Sequence, residues 1–114
     1  MTLIYMNADS GETPEVDVAE TARAIAAGPV QLVDVREPRE WANERIAGSL
    51  LIPLGDLMVR VGELDKCIPV VAICHSGVRS LSATDALLQL GFSDVASLNG
   101  GIVAWHDAGQ PIEQ

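Results

Sequence analysis

Apolar residues in this chain fall into short runs, separated by polar breaks that contain Gly or Pro. The densest run is Pro69-Val70-Val71-Ala72-Ile73. It is continuously apolar and β-branched, the pattern of a strand buried on both faces. Leu81 to Leu90 is free of Pro and Gly and carries Leu81, Leu87, Leu88 and Leu90. It predicts a helix, with Gly91 at the position that usually ends one. Val30 to Val35 predicts a second strand. Val16 and Val18 mark a brief strand, and Asp17 caps an Ala-rich helix from about Val18 to Ala27 that Gly28-Pro29 ends. Pro38 opens a short helix through Trp41 and Asn43. Ser49 to Ile52 predicts a short strand stopped by Pro53, and Leu54 to Val61 a helix with Gly62 at its end. Ser93 to Leu98 is a last strand. Asn99-Gly100-Gly101 is a turn, and Ile102 to Ala108 a final helix ended by Gly109. Residues 1–12 are an extension, either disordered or with a short strand at Leu3-Ile4-Tyr5-Met6, and 13–114 form one domain. Strands alternate with helices throughout, which predicts an α/β sandwich with a mainly parallel sheet.

In such a sheet every strand ends on one edge, and ligands bind there. Asp34 to Glu37, Ile52-Pro53, Cys74 to Arg79 and Asn99 to Gly101 all follow strands. They are expected to surround one shallow pocket. The chemistry concentrates in Cys74-His75-Ser76-Gly77-Val78-Arg79-Ser80, between the densest strand and its helix. Loop N–H groups and the first turn of a helix can converge on one point and stabilise an anion there, and a thiolate is an anion. A lone cysteine at a strand end is often only core. Here a Gly, two hydroxyls and an arginine within six positions turn the balance toward chemistry. Arg79 adds a fixed charge, with a salt bridge to a nearby carboxylate such as Asp34 or Glu37 as its other role. Ser76 and Ser80 are placed to bond sulfur, although Ser80 also suits a helix cap. Gly77 supplies a backbone angle closed to other residues. His75 is either a second charge or an exposed bystander. Asp34 and Arg36 support the site by bracing the sheet edge, and Trp41 and Trp105 pack core or pocket wall.

Composition narrows the field further. With 114 residues the chain is one domain, and 48% hydrophobic content is enough for a core without staples. The net charge of −9 repels nucleic acid and anionic membranes, so any anion site must be locally positive. No secretory or membrane-spanning stretch is visible, which leads us to expect the cytoplasm. Cys67 and Cys74 flank an extended strand and are expected up to ~20 Å apart at about 3.3 Å per residue. A disulfide needs Cα atoms within ~7 Å, so none is expected. Two cysteines alone also make a poor zinc site.

Four stretches together resemble the single-domain rhodanese-like sulfurtransferases. They are Leu32 to Pro38 with Trp41; Arg45-Ile46-Ala47-Gly48-Ser49 leading to Ile52-Pro53-Leu54; the C-x4-R cysteine loop; and Leu98 to Ile102 with Trp105. The resemblance covers roughly residue 14 to the C-terminus. It implies a three-layer sandwich with a five-stranded, mainly parallel sheet. It implies that Cys74 is the nucleophile and carries a persulfide. His75, Ser76, Gly77, Val78 and Arg79 would then cradle a small anionic sulfur donor such as thiosulfate. A thiol, a protein persulfide partner or cyanide completes the exchange, and no metal or organic cofactor is needed. The family often has Arg where this chain has His75, and His where it has Arg45.

Two other classes compete. Tyrosine and dual-specificity phosphatases use a C-x5-R loop, one residue longer, which ranks phosphatase or arsenate reductase chemistry low. Rhodanese-like domains also serve as persulfide relays or as non-catalytic interaction modules. An acidic surface suits docking to a basic partner.

Overall fold

Successive residues of the three central strands point to opposite faces of the sheet, and both faces are apolar. In β4 (Val70–Ile73), Val70 and Ala72 face one side while Val71 and Ile73 face the other. β5 (Val95–Leu98) divides Val95 from Ala96 and Leu98 in the same way, and β2 (Gln31–Asp34) divides Val33 from Leu32. Burial on both faces is why these runs read as continuously apolar. The computed structural model describes residues 2–114. β1 (Glu15–Val16) and β3 (Leu50–Leu51) close the two edges, giving five strands in the order β1-β5-β4-β2-β3, every pair parallel.

Helices cover both faces. α1 (Val18–Ala27) and α5 (Gly101–Asp107) bring Ala24, Ile102 and Trp105 onto one side. α3 (Leu57–Arg60) and α4 (Arg79–Gln89) bring Leu57, Ala83 and Leu87 onto the other. The fold is the α/β sandwich with a five-stranded parallel sheet that the alternation of runs predicts. α1 begins and ends where expected, and the Asp17 carboxylate accepts the Glu20 N–H at 2.8 Å. α2 (Pro38–Asn43) likewise starts at its proline.

Three local expectations are corrected. Leu54 to Val61 is not one helix but a 3-10 turn (Leu54–Asp56), the short α3, and a second 3-10 turn (Val61–Glu63). Within α3 only Leu57 is buried, and Met58 and Val59 face solvent, so no apolar stripe holds a longer helix in register. α4 starts at Arg79, two residues before the expected Leu81. Leu3 to Met6 form no strand. Their backbone is satisfied from the side instead, as Leu3 donates its N–H to the Asp94 carboxylate at 3.1 Å and Met6 donates to the Glu15 carbonyl at 2.9 Å. The Tyr5 hydroxyl also donates to Asp94 at 2.5 Å, and burial together with that carboxylate raises its pKa. Among the described residues no helix is long and apolar enough to cross a membrane.

Candidate active site

Because all strands run parallel, their carboxyl ends share one edge. β4 stops at Ile73, and Cys74 follows, only 1% exposed. Its Sγ accepts the Gly77 N–H at 3.1 Å and lies 3.3 Å from the Ser80 hydroxyl. Burial pushes the thiol up. The Ser80 hydroxyl and the backbone N–H groups of Ser80, Gly77 and Ser76 outweigh burial, and the thiol titrates below its ordinary value. The sulfur is thus desolvated yet supplied with donors, an environment that favours the nucleophilic anion.

The loop owes its shape to two glycines. Gly77 sits at φ +101°, where a Cβ would lie 3.1 Å from the Gly100 nitrogen. Gly101, at φ +60°, is tighter still: a Cβ would fall 2.3 Å from the His75 carbonyl oxygen and 2.5 Å from that of Cys74. The close approach lets the start of α5 grip the loop from behind. Ile102 donates its N–H to the Cys74 carbonyl at 2.9 Å, and Val103 donates to the His75 carbonyl at 3.2 Å. The Asn99-Gly100-Gly101 turn is therefore a buttress of the cysteine loop.

Arg79 makes the salt bridge expected of it, but with a carboxylate the sequence did not single out. Arg79 bridges neither Asp34 nor Glu37. It bonds Glu40 of α2 in bidentate fashion, at 2.8 and 3.0 Å. The Arg79 guanidinium holds the Glu40 carboxyl down at about 2, and Glu40 also accepts the Glu37 N–H at 3.0 Å. Asp34 is occupied elsewhere. Its carboxylate takes Arg36 Nε at 3.0 and 3.1 Å and Nη2 at 2.9 Å, with both side chains buried, and Arg36 Nη2 also donates to the Glu44 carbonyl at 2.7 Å. Asp34 and Arg36 thus brace the edge, and Arg79 comes to the loop with its charge already paired.

Ser80 does not cap α4. Val78 precedes the first residue of that helix, and the Ser80 hydroxyl turns inward between Cys74 and Ser97, 2.7 Å from the latter. His75, Ser76 and Val78 are exposed on the loop. Cys67 lies before β4, exposed, and both thiols are free. Arg45 stands over the Trp41 ring, 4.4 Å from its centroid, and exchanges two backbone bonds with Glu113 at 2.9 and 2.8 Å. It clamps the C-terminal tail. A cleft of about 230 Å³ lies elsewhere, near Ile25, Ile46 and Trp105, away from the cysteine loop. Three contributors escaped the sequence reading: Glu40, Ser97, and the close approach at Gly101. Ser97 left a faint signal, a hydroxyl in an otherwise apolar strand, since buried polar groups find partners.

Fold and site together define a class: an α/β sandwich that presents a cysteine loop between its central strand and the following helix. The sequence matches the rhodanese-like domain family over residues 17–108. It is 38% identical over 99 residues to a sulfurtransferase of Allochromatium vinosum, covering 86% of this chain and 92% of that protein. It is 34% identical to the thiosulfate sulfurtransferase GlpE of Shewanella oneidensis, over 82% of this chain and 92% of that one. A crystal structure of a rhodanese-related protein from Thermoplasma volcanium superposes with a TM-score of 0.80 at 32% identity, covering 87% of this chain and 96% of that one. The chain belongs to the rhodanese-like family and is an enzyme of the sulfurtransferase type.

Proposed function

We propose that the protein transfers a sulfane sulfur from thiosulfate or a persulfide donor to a thiol acceptor, through a persulfide on Cys74. The observation that carries this reading is the Cys74 sulfur itself, buried and bonded by the Gly77 N–H and the Ser80 hydroxyl, with its titration lowered. The Cys74 thiolate attacks the outer sulfur of thiosulfate. A sulfur–sulfur bond forms to Cys74, the bond within thiosulfate breaks, and sulfite leaves with the electron pair. An acceptor thiolate, or cyanide in a test reaction, then attacks the outer sulfur of the persulfide and returns Cys74 as thiolate. Each half-reaction is a displacement at sulfur, so kinetics are ping-pong. The N–H groups of Ser76, Gly77 and Ser80, turned to the sulfur, would also meet the incoming anion.

A second reading, a relay fed by another protein's persulfide, is favoured by one feature. Arg79 is paired with Glu40 and offers a dianion less net charge than an unpaired guanidinium would.

Intact-protein mass spectrometry after brief thiosulfate treatment tests both. The expected gain is one sulfur atom, removed by cyanide, present in Cys67→Ser and absent in Cys74→Ser. A gain only from a protein persulfide donor would select the relay. No gain from either donor would overturn both readings.

A further inference from the structure

The hydrogen bonds behind the thiol run one residue further than the displacement requires. Ser97 lies in β5 among Val95, Ala96 and Leu98, all fully buried. A hydroxyl in such surroundings is costly unless it is bonded. Paired opposite Ala72, Ser97 shares the parity of Val95 and faces the side of the sheet that α4 covers. Its Oγ is 2.7 Å from the Ser80 Oγ, which in turn is 3.3 Å from Cys74 Sγ. Ser80 is its one side-chain partner among the described residues.

Each hydroxyl carries one proton. A thiolate only accepts, so Ser80 must turn its proton to the sulfur, and Ser97 then gives its own proton to the Ser80 oxygen. Every donor is used. With a neutral thiol the opposite direction opens: sulfur donates to Ser80, Ser80 donates to Ser97, and the Ser97 proton is left without an acceptor. The chain therefore has a preferred direction, and that direction suits the anion. We infer that Ser97 is a positioning residue, which acts through Ser80 to fix a one-way hydrogen-bond chain onto Cys74 and hold the nucleophile as thiolate. This rests on the reading of Cys74 as the nucleophile. The charged and titratable groups around the sulfur are Arg79 of α4, paired with Glu40 of α2, the Asp34–Arg36 pair at the end of β2, and exposed His75 in the loop. β5 adds no charge there, and α5 turns only backbone N–H groups to the loop carbonyls.

The test is the pH dependence of iodoacetamide alkylation of Cys74, in a Cys67→Ser background, with folding followed by circular dichroism. Ser97→Ala is expected to raise the midpoint by about half to one pH unit, the size of one net hydrogen bond. Ser97→Thr keeps the hydroxyl and stays near the parent, whereas Ser97→Val, of the same shape, shifts as Ala does. Ser80→Ala also raises the midpoint, and adding Ser97→Ala to it raises it no further. An unmoved midpoint in folded Ser97→Ala, equal shifts for Thr and Val, or an additive rise in the double variant would overturn the inference. Should Ser97→Ala not fold, the Thr and Val pair decides in the same way. Alkylation needs no sulfur donor. A shift without any sulfur gain in the mass measurement would fault the sulfur-transfer reading alone, and sulfur gain without a shift would fault only the role of Ser97.

Discussion

The two ends of β4 carry one cysteine each, and the two thiols meet opposite surroundings. Cys67, before the strand, is exposed, and its N–H bonds the Asp65 carboxylate at 2.8 Å. Cys74, after the strand, is buried with N–H and O–H donors turned toward its sulfur. Parallel pairing produces the difference. Every strand leaves by the same edge, and the helices that follow begin there, with N–H groups unspent in their first turns. α4 begins at Arg79 and α5 at Gly101, both beside Cys74. The opposite edge is tied by an ordinary amide, with Gln31 Nε2 donating to the Asp65 carbonyl at 2.8 Å and the Ile68 carbonyl at 3.1 Å. A cysteine is a candidate nucleophile here through its place at the donor-rich edge, not through its type.

The sharpest contrast between the two edges comes from removing one bracing side chain at each. Arg36→Ala leaves Asp34 fully buried without its guanidinium. Breaking a buried pair in this way costs about 3–5 kcal/mol. Gln31→Ala removes exposed and half-buried bonds at the other edge and is expected to cost about 1 kcal/mol. Urea denaturation of the two variants checks this. Equal losses would mean that the carboxyl edge is no more tightly braced than the other.

A smaller effect separates two glycines. Gly101→Ala would press a methyl group onto the backbone carbonyls of Cys74 and His75, which cannot swing aside as a side chain can, and it would strain φ +60°. Overpacking and the left-handed angle together cost about 2–4 kcal/mol. Displacement of the loop is also expected to slow sulfur loading of Cys74. Gly62→Ala, on the approach to β4, meets nothing within 4 Å. It should stay within about 0.5 kcal/mol of the parent. Thermal melts and the mass measurement read both. A harmless Gly101→Ala would show that α5 does not set the loop.

Local signals were legible in the sequence, and long-range partners were not. Asp17 and the Ala-rich run after it place α1 to the residue, because cap and propensity act within a few positions. The run at 69–73 and the cysteine loop after it are legible for the same reason. Leu3 to Met6 misled because four apolar residues carry no statement of whether a neighbouring strand is in reach. Nothing near Arg79 in sequence distinguishes Glu40 from Glu37 or Asp34. Only the start of α2 at Pro38 turns Glu40 toward the loop, once the fold is assembled. Ser80 reads from sequence as either a sulfur donor or a cap, because the helix is expected to start after it. With the true start at Arg79, the same hydroxyl lies inside the first turn and faces sulfur.

The finest distinction within the donor-rich edge is the Glu40–Arg79 pair, half-buried and open to water on one side. Glu40 has its folded pKa depressed to about 2 from 4.5, chiefly by the bond from Arg79. A depressed carboxyl contributes stability above its unfolded value, and that stability is lost as pH falls through the folded one. The pair's contribution is therefore complete above about pH 4.5 and disappears toward about pH 2. Solvent screening limits it to about 1 kcal/mol. Other carboxylates titrate in the same window, so the quantity to measure is the difference between the parent and Glu40→Gln. That difference should shrink from about 1 kcal/mol near neutral pH to nothing near pH 2. Glu40→Gln also leaves the Arg79 charge uncompensated beside the thiol, which it already senses. An unpaired cation attracts a dianion more than a neutral donor. Loading from thiosulfate should then rise a few-fold relative to alkylation of Cys74 by neutral iodoacetamide. An unchanged ratio would mean that the pair braces α2 against the loop and has no part in choosing the donor.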